Sequence, residues 1–184
     1  MLTCRKNIFL TGAPSSGKTT VIKKIVQKLV LPSCGFYTQE EQLDGKRVGF
    51  VMKTIDGKTA YLAHQDIKSE FHIRRFGVSL ENIEAVAVPS LSPTTSNSIV
   101  ILDEIGKMEC FSEVFRNAVI RVLDSPNIVI GTITLGGDDF IATIKKRGDI
   151  EILEVNYDNR NVLPDLILKK ISDLQEMESR QILG

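Results

Sequence analysis

The chain has 184 residues, 42% of them hydrophobic, and its 23 Lys plus Arg are matched by 23 Asp plus Glu. This predicts one domain, residues 1–184, with a sizeable core, and zero net charge excludes both the basic excess of a nucleic-acid binder and an acidic tail. Three scattered cysteines (Cys4, Cys34, Cys110) without a C-x-x-C pair, and two isolated histidines (His64, His72), argue against a disulfide framework or a zinc site. No run approaches the ~20 apolar residues of a membrane span, and Ile8-Phe9-Leu10 is too short for the apolar core of a signal peptide. A cytoplasmic protein is expected, with reduced thiols, no membrane or nucleic-acid contact and no obligate protein partner.

Asn7-Ile8-Phe9-Leu10-Thr11 predicts a buried strand that runs straight into a glycine-rich loop. A helix follows, with Val21, Ile22, Ile25, Val26, Leu29 and Val30 on one face and Pro32 as its stop. Three short strands come next, at residues 35–38, 47–52 and 58–62, separated by Asp44-Gly45 and Asp56-Gly57. They predict an antiparallel β-meander of about residues 34–64, inserted into an α/β protein. Residues 65–80 show no periodicity. Residues 80–88 predict a short helix after Ser79 that ends before Pro89, and residues 90–98 an exposed loop.

Ile99-Val100-Ile101-Leu102 is a buried strand ending in Asp103-Glu104. Ser112 is a plausible N-cap for a helix with Val114, Phe115, Ala118, Val119, Val122 and Leu123 on its core face. Residues 128–134 predict another buried strand, 140–146 a helix, 151–155 a strand and 162–182 a terminal amphipathic helix. Lys145-Lys146-Arg147 fits a solvated helix face. Buried strands alternating with helices predict a mostly parallel sheet covered on both faces.

Gly12-Ala13-Pro14-Ser15-Ser16-Gly17-Lys18-Thr19 satisfies G-x-x-x-x-G-K-[ST], with a strand before it and a helix after it. Glycines at its ends let successive amides point at phosphate oxygens, and the helix adds its positive N-terminus. Lys18 is expected to meet the β- and γ-phosphates. The Thr19 hydroxyl suits magnesium, and Thr20 either caps the helix or touches the α-phosphate. An ordinary strand-to-helix turn would need neither Lys18 nor Thr19.

In a parallel sheet Asp103 would end beside this loop and hold magnesium, while Glu104 would reach a water in line with the γ-phosphate. At least one further strand is expected between the two motifs, as in ATPases with a catalytic glutamate. Asp103-Glu104-Ile105-Gly106 also satisfies D-x-x-G, but no guanine-reading N-K-x-D accompanies it, so that match is incidental. Arg160, after the last strand, is placed to stack on a base or touch phosphate, or else is an exposed loop arginine. Lys107 and Glu109 position water or phosphate, or pair with each other, with the salt bridge favoured for Glu109. Thr132 and Thr134 sense phosphate or are ordinary strand threonines. Arg47 supplies charge to the site or, by preference, makes an exposed cross-strand pair.

The phosphate loop, Gly35-Phe36-Tyr37-Thr38, Arg47-Val48-Gly49-Phe50 and above all Asp103-Glu104-Ile105-Gly106-Lys107-Met108-Glu109 resemble the thermostable nucleoside-triphosphatase family. The likeness runs from the N-terminus to Asn159-Arg160-Asn161. It implies a P-loop NTPase fold and slow, magnesium-dependent hydrolysis of ATP, GTP, CTP and UTP to diphosphate and phosphate. It also implies that residues 99–106, Ile105 and Gly106 included, line the nucleotide site, and it favours a role for Arg160. Two departures stand out. Gln42 occupies the place of a family arginine, and residues 90–98 look like a loop where the family has a helix. A small-molecule or nucleotide kinase, and a nucleotide-dependent switch with negligible turnover, are the competing functions.

Overall fold

The computed structural model describes residues 5–182, so Cys4 lies outside the described residues. Apolar side chains at both parities make a strand that is buried on both faces. β1 (Asn7–Thr11) sends Ile8 and Leu10 to one face and Phe9 to the other. β7 (Ile99–Ile105) does the same, with Ile99 and Ile101 opposite Val100 and Leu102. β8 (Val129–Ile133) and β9 (Ile150–Glu154) complete this parallel region together with the first half of β2 (Ser33–Leu43).

Helices cover the two faces. α1 (Lys18–Lys28) buries Val21, Ile22 and Ile25, one stripe at helical spacing, and packs with Leu163, Ile167 and Ile171 of α6 (Leu163–Ile182). α1 ends where Leu29 turns extended, ahead of Pro32. Ile25 is fully buried, and truncating it to alanine would cost about 2–5 kcal/mol. On the opposite face lie α4 (Glu113–Asp124) and α5 (Asp139–Lys145). The Ser112 hydroxyl accepts the Phe115 amide at 3.1 Å, and Asp138 accepts that of Ile141 at 3.1 Å, so both helices start on side-chain caps. Val114 departs from the predicted core face. It is 45% exposed, because the buried stripe begins one residue later, at Phe115, and recurs at 118, 119, 122 and 123.

The meander is an extension of the sheet rather than a separate insert. β2 pairs in parallel with β7 through residues 33–36 and antiparallel with β3 (Lys46–Thr54) through residues 36–43. β4 (Thr59–His64) follows. β5 (His72–Ile73) and β6 (Phe76–Val78) then form in the segment that shows no sequence periodicity, being too short to display any. Among the described residues the order is β5-β6-β4-β3-β2-β7-β8-β1-β9. One strand, β8, separates β1 from β7, as expected, although it comes from after the acidic strand.

The helix predicted to stop before Pro89 continues through it. α2 (Leu80–Asn82), a π turn at Ile83–Ala87 and α3 (Val88–Ser90) run on, and the Val88 amide bonds the Ile83 carbonyl. The wider turn makes room for a proline at the start of α3, where its missing N–H costs little. Residues 91–98 form the expected loop.

Candidate active site

Both chemical motifs sit at the carboxyl ends of parallel strands, the edge at which open α/β sheets bind ligands. Gly12 (φ 147°) and Gly17 (φ 103°) adopt backbone that side chains resist, and a β-carbon on Gly12 would come within 2.6 Å of the Val155 carbonyl oxygen. α1 starts on Gly17 without a side-chain cap, so its first amides face the loop. Lys18 Nζ lies across the loop, donating to the carbonyls of Gly12 (2.9 Å) and Ala13 (3.2 Å). The Ser16 hydroxyl is buried beneath and finds no partner among the described residues.

Asp103 is 1% exposed. Its Oδ1 accepts the Thr132 hydroxyl at 2.6 Å, its Oδ2 accepts the Thr38 amide at 3.4 Å, and the Thr19 hydroxyl lies close by. Burial pushes this carboxyl above the ordinary aspartate range, while those donors and the Lys18 charge oppose the shift. The side chains expected to hold magnesium, those of Thr19 and Asp103, are therefore neighbours. Hard oxygen donors, with a buried carboxylate between them, fit that ion.

Glu104 follows across a cis peptide bond. Its carboxyl is pushed up first by burial and then by the Asp103 charge, against Lys18 and the Thr132 hydroxyl. It lines a cleft of about 690 Å³ together with Gly12, Pro14, Ser15, Gly17, Lys18, Thr19 and Thr20 of the loop and helix. The far wall comes from Thr38, Glu40, Arg47 and Phe50 of the sheet extension and from Lys107 and Met108 after β7. Ile105 is wholly buried in the core, and Gly106 is buried as well.

Three expectations change here. Glu109 is not a salt-bridge partner of Lys107. It is 3% exposed, and no lysine or arginine pairs with it among the described residues. Burial and the Glu104 charge push its carboxyl well above the usual range, while the Glu109 and Gly106 amides oppose this. Thr132 bonds Asp103 rather than facing the cleft, whereas Thr134 lines it. Arg47 fills both of its alternatives, pairing with Glu40 while lining the cleft, its guanidinium 5.4 Å from the Phe50 ring. Gln42 lies directly across the ladder from Arg47, so an arginine reaches this wall from the neighbouring strand.

Arg160 packs beside Gly17 and 4.6 Å from the ring of Tyr157, which is 70% exposed. With Thr20, Lys24 and Asn161 it lines a second cleft of about 290 Å³ behind the loop. Burial raises the Cys34 thiol to about 11 and the Cys110 thiol to about 12, so neither is a nucleophile at neutral pH. Sequence reasoning missed Thr38, which acts through its amide, and Tyr157, an exposed aromatic in a loop. The hint for Tyr157 was its three-residue distance from Arg160.

The NTPase family model matches residues 7–168. A nucleoside-triphosphatase THEP1 of Thermotoga sp. (strain RQ2) is 42% identical over 162 residues, which is 88% of this chain and 92% of that one. The cancer-related nucleoside-triphosphatase of Homo sapiens is 34% identical, covering 88% of this chain and 95% of its own. The crystal structure of THEP1 from the hyperthermophile Aquifex aeolicus superposes with a TM-score of 0.82 at 32% identity, over 90% of this chain and 98% of that one.

Proposed function

The chain belongs to the NTPase family and is a nucleoside-triphosphatase, a hydrolase on the P-loop fold, and on that premise we propose that it cleaves the β–γ anhydride of ATP, GTP, CTP and UTP with magnesium and water. The carrying observation is the placement of Thr19 beside the buried Asp103, with Glu104 next in the chain and in the same cleft as Lys18 and Thr19.

In this reading the loop amides and the N-terminus of α1 receive the phosphates. Lys18 Nζ leaves the Gly12 and Ala13 carbonyls to meet the β- and γ-oxygens. Thr19 and Asp103 hold magnesium, which would neutralise charge on those oxygens. Glu104 takes the proton of a water whose oxygen forms a bond to the γ-phosphorus. The bond from that phosphorus to the β–γ bridging oxygen breaks, and the products are diphosphate and phosphate. A raised carboxyl is a better proton acceptor at this step than an ordinary one. Arg160, at the second cleft, and Tyr157 beside it offer flat faces to any base rather than a hydrogen-bond pattern, which supports broad base use. Free thiols at Cys34 and Cys110 support a cytoplasmic location, and no described helix is long and apolar enough to cross a membrane.

The test is incubation with each of the four triphosphates and magnesium, without acceptor. Phosphate release from several of them supports the reading; release from none overturns it. One observation favours a second reading. The cleft continues past Glu104 along Phe50, Leu62 and Ile73, more room than a water needs. Phosphoryl transfer to an added hydroxyl compound, faster than to water, would favour a kinase.

A further inference from the structure

Beside the proposed base lies a second buried acid for which the mechanism has no use. Glu109 sits in the 3-10 turn Glu109–Phe111 after β7, 3% exposed. Burying a carboxyl without a cation is costly, so the fold must gain something by it. Its position is specific. A β-carbon on Gly106 would lie 2.6 Å from Glu104 Oε1 and 2.8 Å from Glu109 Oε2. The two carboxyls therefore converge over Gly106 and fill the space a side chain would take there. By those distances the two oxygens are no more than about 5.4 Å apart, within the span of one bridging water. The Gly106 and Glu109 amides lie beside the Glu109 carboxyl and favour its charged form.

We infer that Glu109 is a positioning residue for hydrolysis: set beside these amides, it holds the Glu104 carboxylate in the orientation that faces the cleft. Glu104 has three rotatable bonds and a partly open surroundings, and an unsupported base of that kind spreads over several rotamers. A base displaced by about 1 Å can lose on the order of 100-fold in rate. Gly106 belongs to the same device, since any side chain there would push the two carboxyls apart.

The inference rests on the reading of Glu104 as the base, so the first measurement is E104Q. If E104Q turns over at the wild-type rate, the reading of the base fails and the inference with it. If E104Q is slow, E109L decides the inference alone. Leucine fills the buried space and removes an unpaired acid, so thermal stability is expected to hold or rise. The expected kcat falls on the order of 10- to 100-fold, with KM and the affinity for a non-hydrolysable triphosphate within about threefold of wild type. E109Q is expected to recover most of that loss, because its carbonyl accepts the two amides and its NH₂ donates to Glu104. The double variant E104Q/E109L is expected to be no slower than E104Q, as befits a residue that acts only through Glu104. Wild-type kcat in E109L overturns the inference. So does a loss of nucleotide affinity matching the loss of rate, or a double variant slower than E104Q by the full E109L factor.

Discussion

At the amino ends of the parallel strands, the half-buried charges Arg147 and Asp149 have fixed partners among the described residues. Asp149 accepts Arg147 Nε at 2.9 Å, a second Arg147 nitrogen at 2.8 Å and Asn7 Nδ2 at 3.0 Å. Arg147 also reaches Asp124 at 2.7 Å, and Asn7 Oδ1 accepts the Val129 amide at 3.3 Å. At the carboxyl ends of the same strands, Asp103, Glu104 and Glu109 gather with only hydroxyls, amides and the distant Lys18 charge to offset them. The signs of the shifts follow. Hydrogen bonds from Arg147 pull the Asp149 carboxyl below its ordinary range, while burial pushes all three acids of the other edge above theirs. One edge is finished by the protein; the other leaves its acids to be balanced by the cation and substrate proposed above. Perturbed groups without fixed partners mark the edge that works.

Four substitutions test that division, in descending order of effect. Lys18→Ala removes a cation that reaches both loop and acids, and turnover should fall by roughly 1000-fold or more in a phosphate-release assay. Activity near wild type would remove the loop from the chemistry. Asp103→Asn keeps the shape but not the charge, and should cost on the order of 100-fold in kcat while raising the magnesium needed for half-maximal rate. An unchanged magnesium titration would break the link between the acidic strand end and the metal.

Asp149→Asn, at the finished edge, should leave kcat unchanged and lower stability by about 1–3 kcal/mol in urea melts at neutral pH. The sign follows from a depressed carboxyl. Its contribution is present above the ordinary value of 3.8 and is lost as pH falls through the folded value, so wild type and variant should converge in strong acid. A kcat change in this variant would mean that the two edges are coupled. Arg160→Ala should raise KM about three- to tenfold for all four triphosphates alike, with kcat held. A change confined to one base would show that Arg160 reads base identity.

Much of this was legible in the sequence because it is local. A strand, Gly12 to Thr19 and a helix announce a phosphate cradle by adjacency, and four apolar residues before Asp103 announce a buried strand end. What escaped depends on distant pieces meeting. Nothing near Glu109 says that it is buried, since the neighbouring Lys107 offers a plausible partner and only the turn over Gly106 directs it elsewhere. The Thr132 hydroxyl found Asp103 through the pairing of β7 with β8, a match twenty-nine residues apart. Pro89 misled because its usual effect assumes an ordinary turn before it, whereas a π turn precedes it here. Gln42 looked like the loss of a cation, yet the β2–β3 register brings Arg47 to the same wall.

β2 carries a last consequence. It is hydrogen-bonded along one edge to β7 and along the other to β3, and one unbroken strand runs from beneath Asp103 out to the Glu40–Arg47 pair. Thr38 and Glu40 are two residues apart, so strand geometry fixes their spacing at about 6.8 Å. This wall of the cleft thus behaves as a ruler rather than a door: its side chains keep their intervals because both edges of the strand that carries them are held.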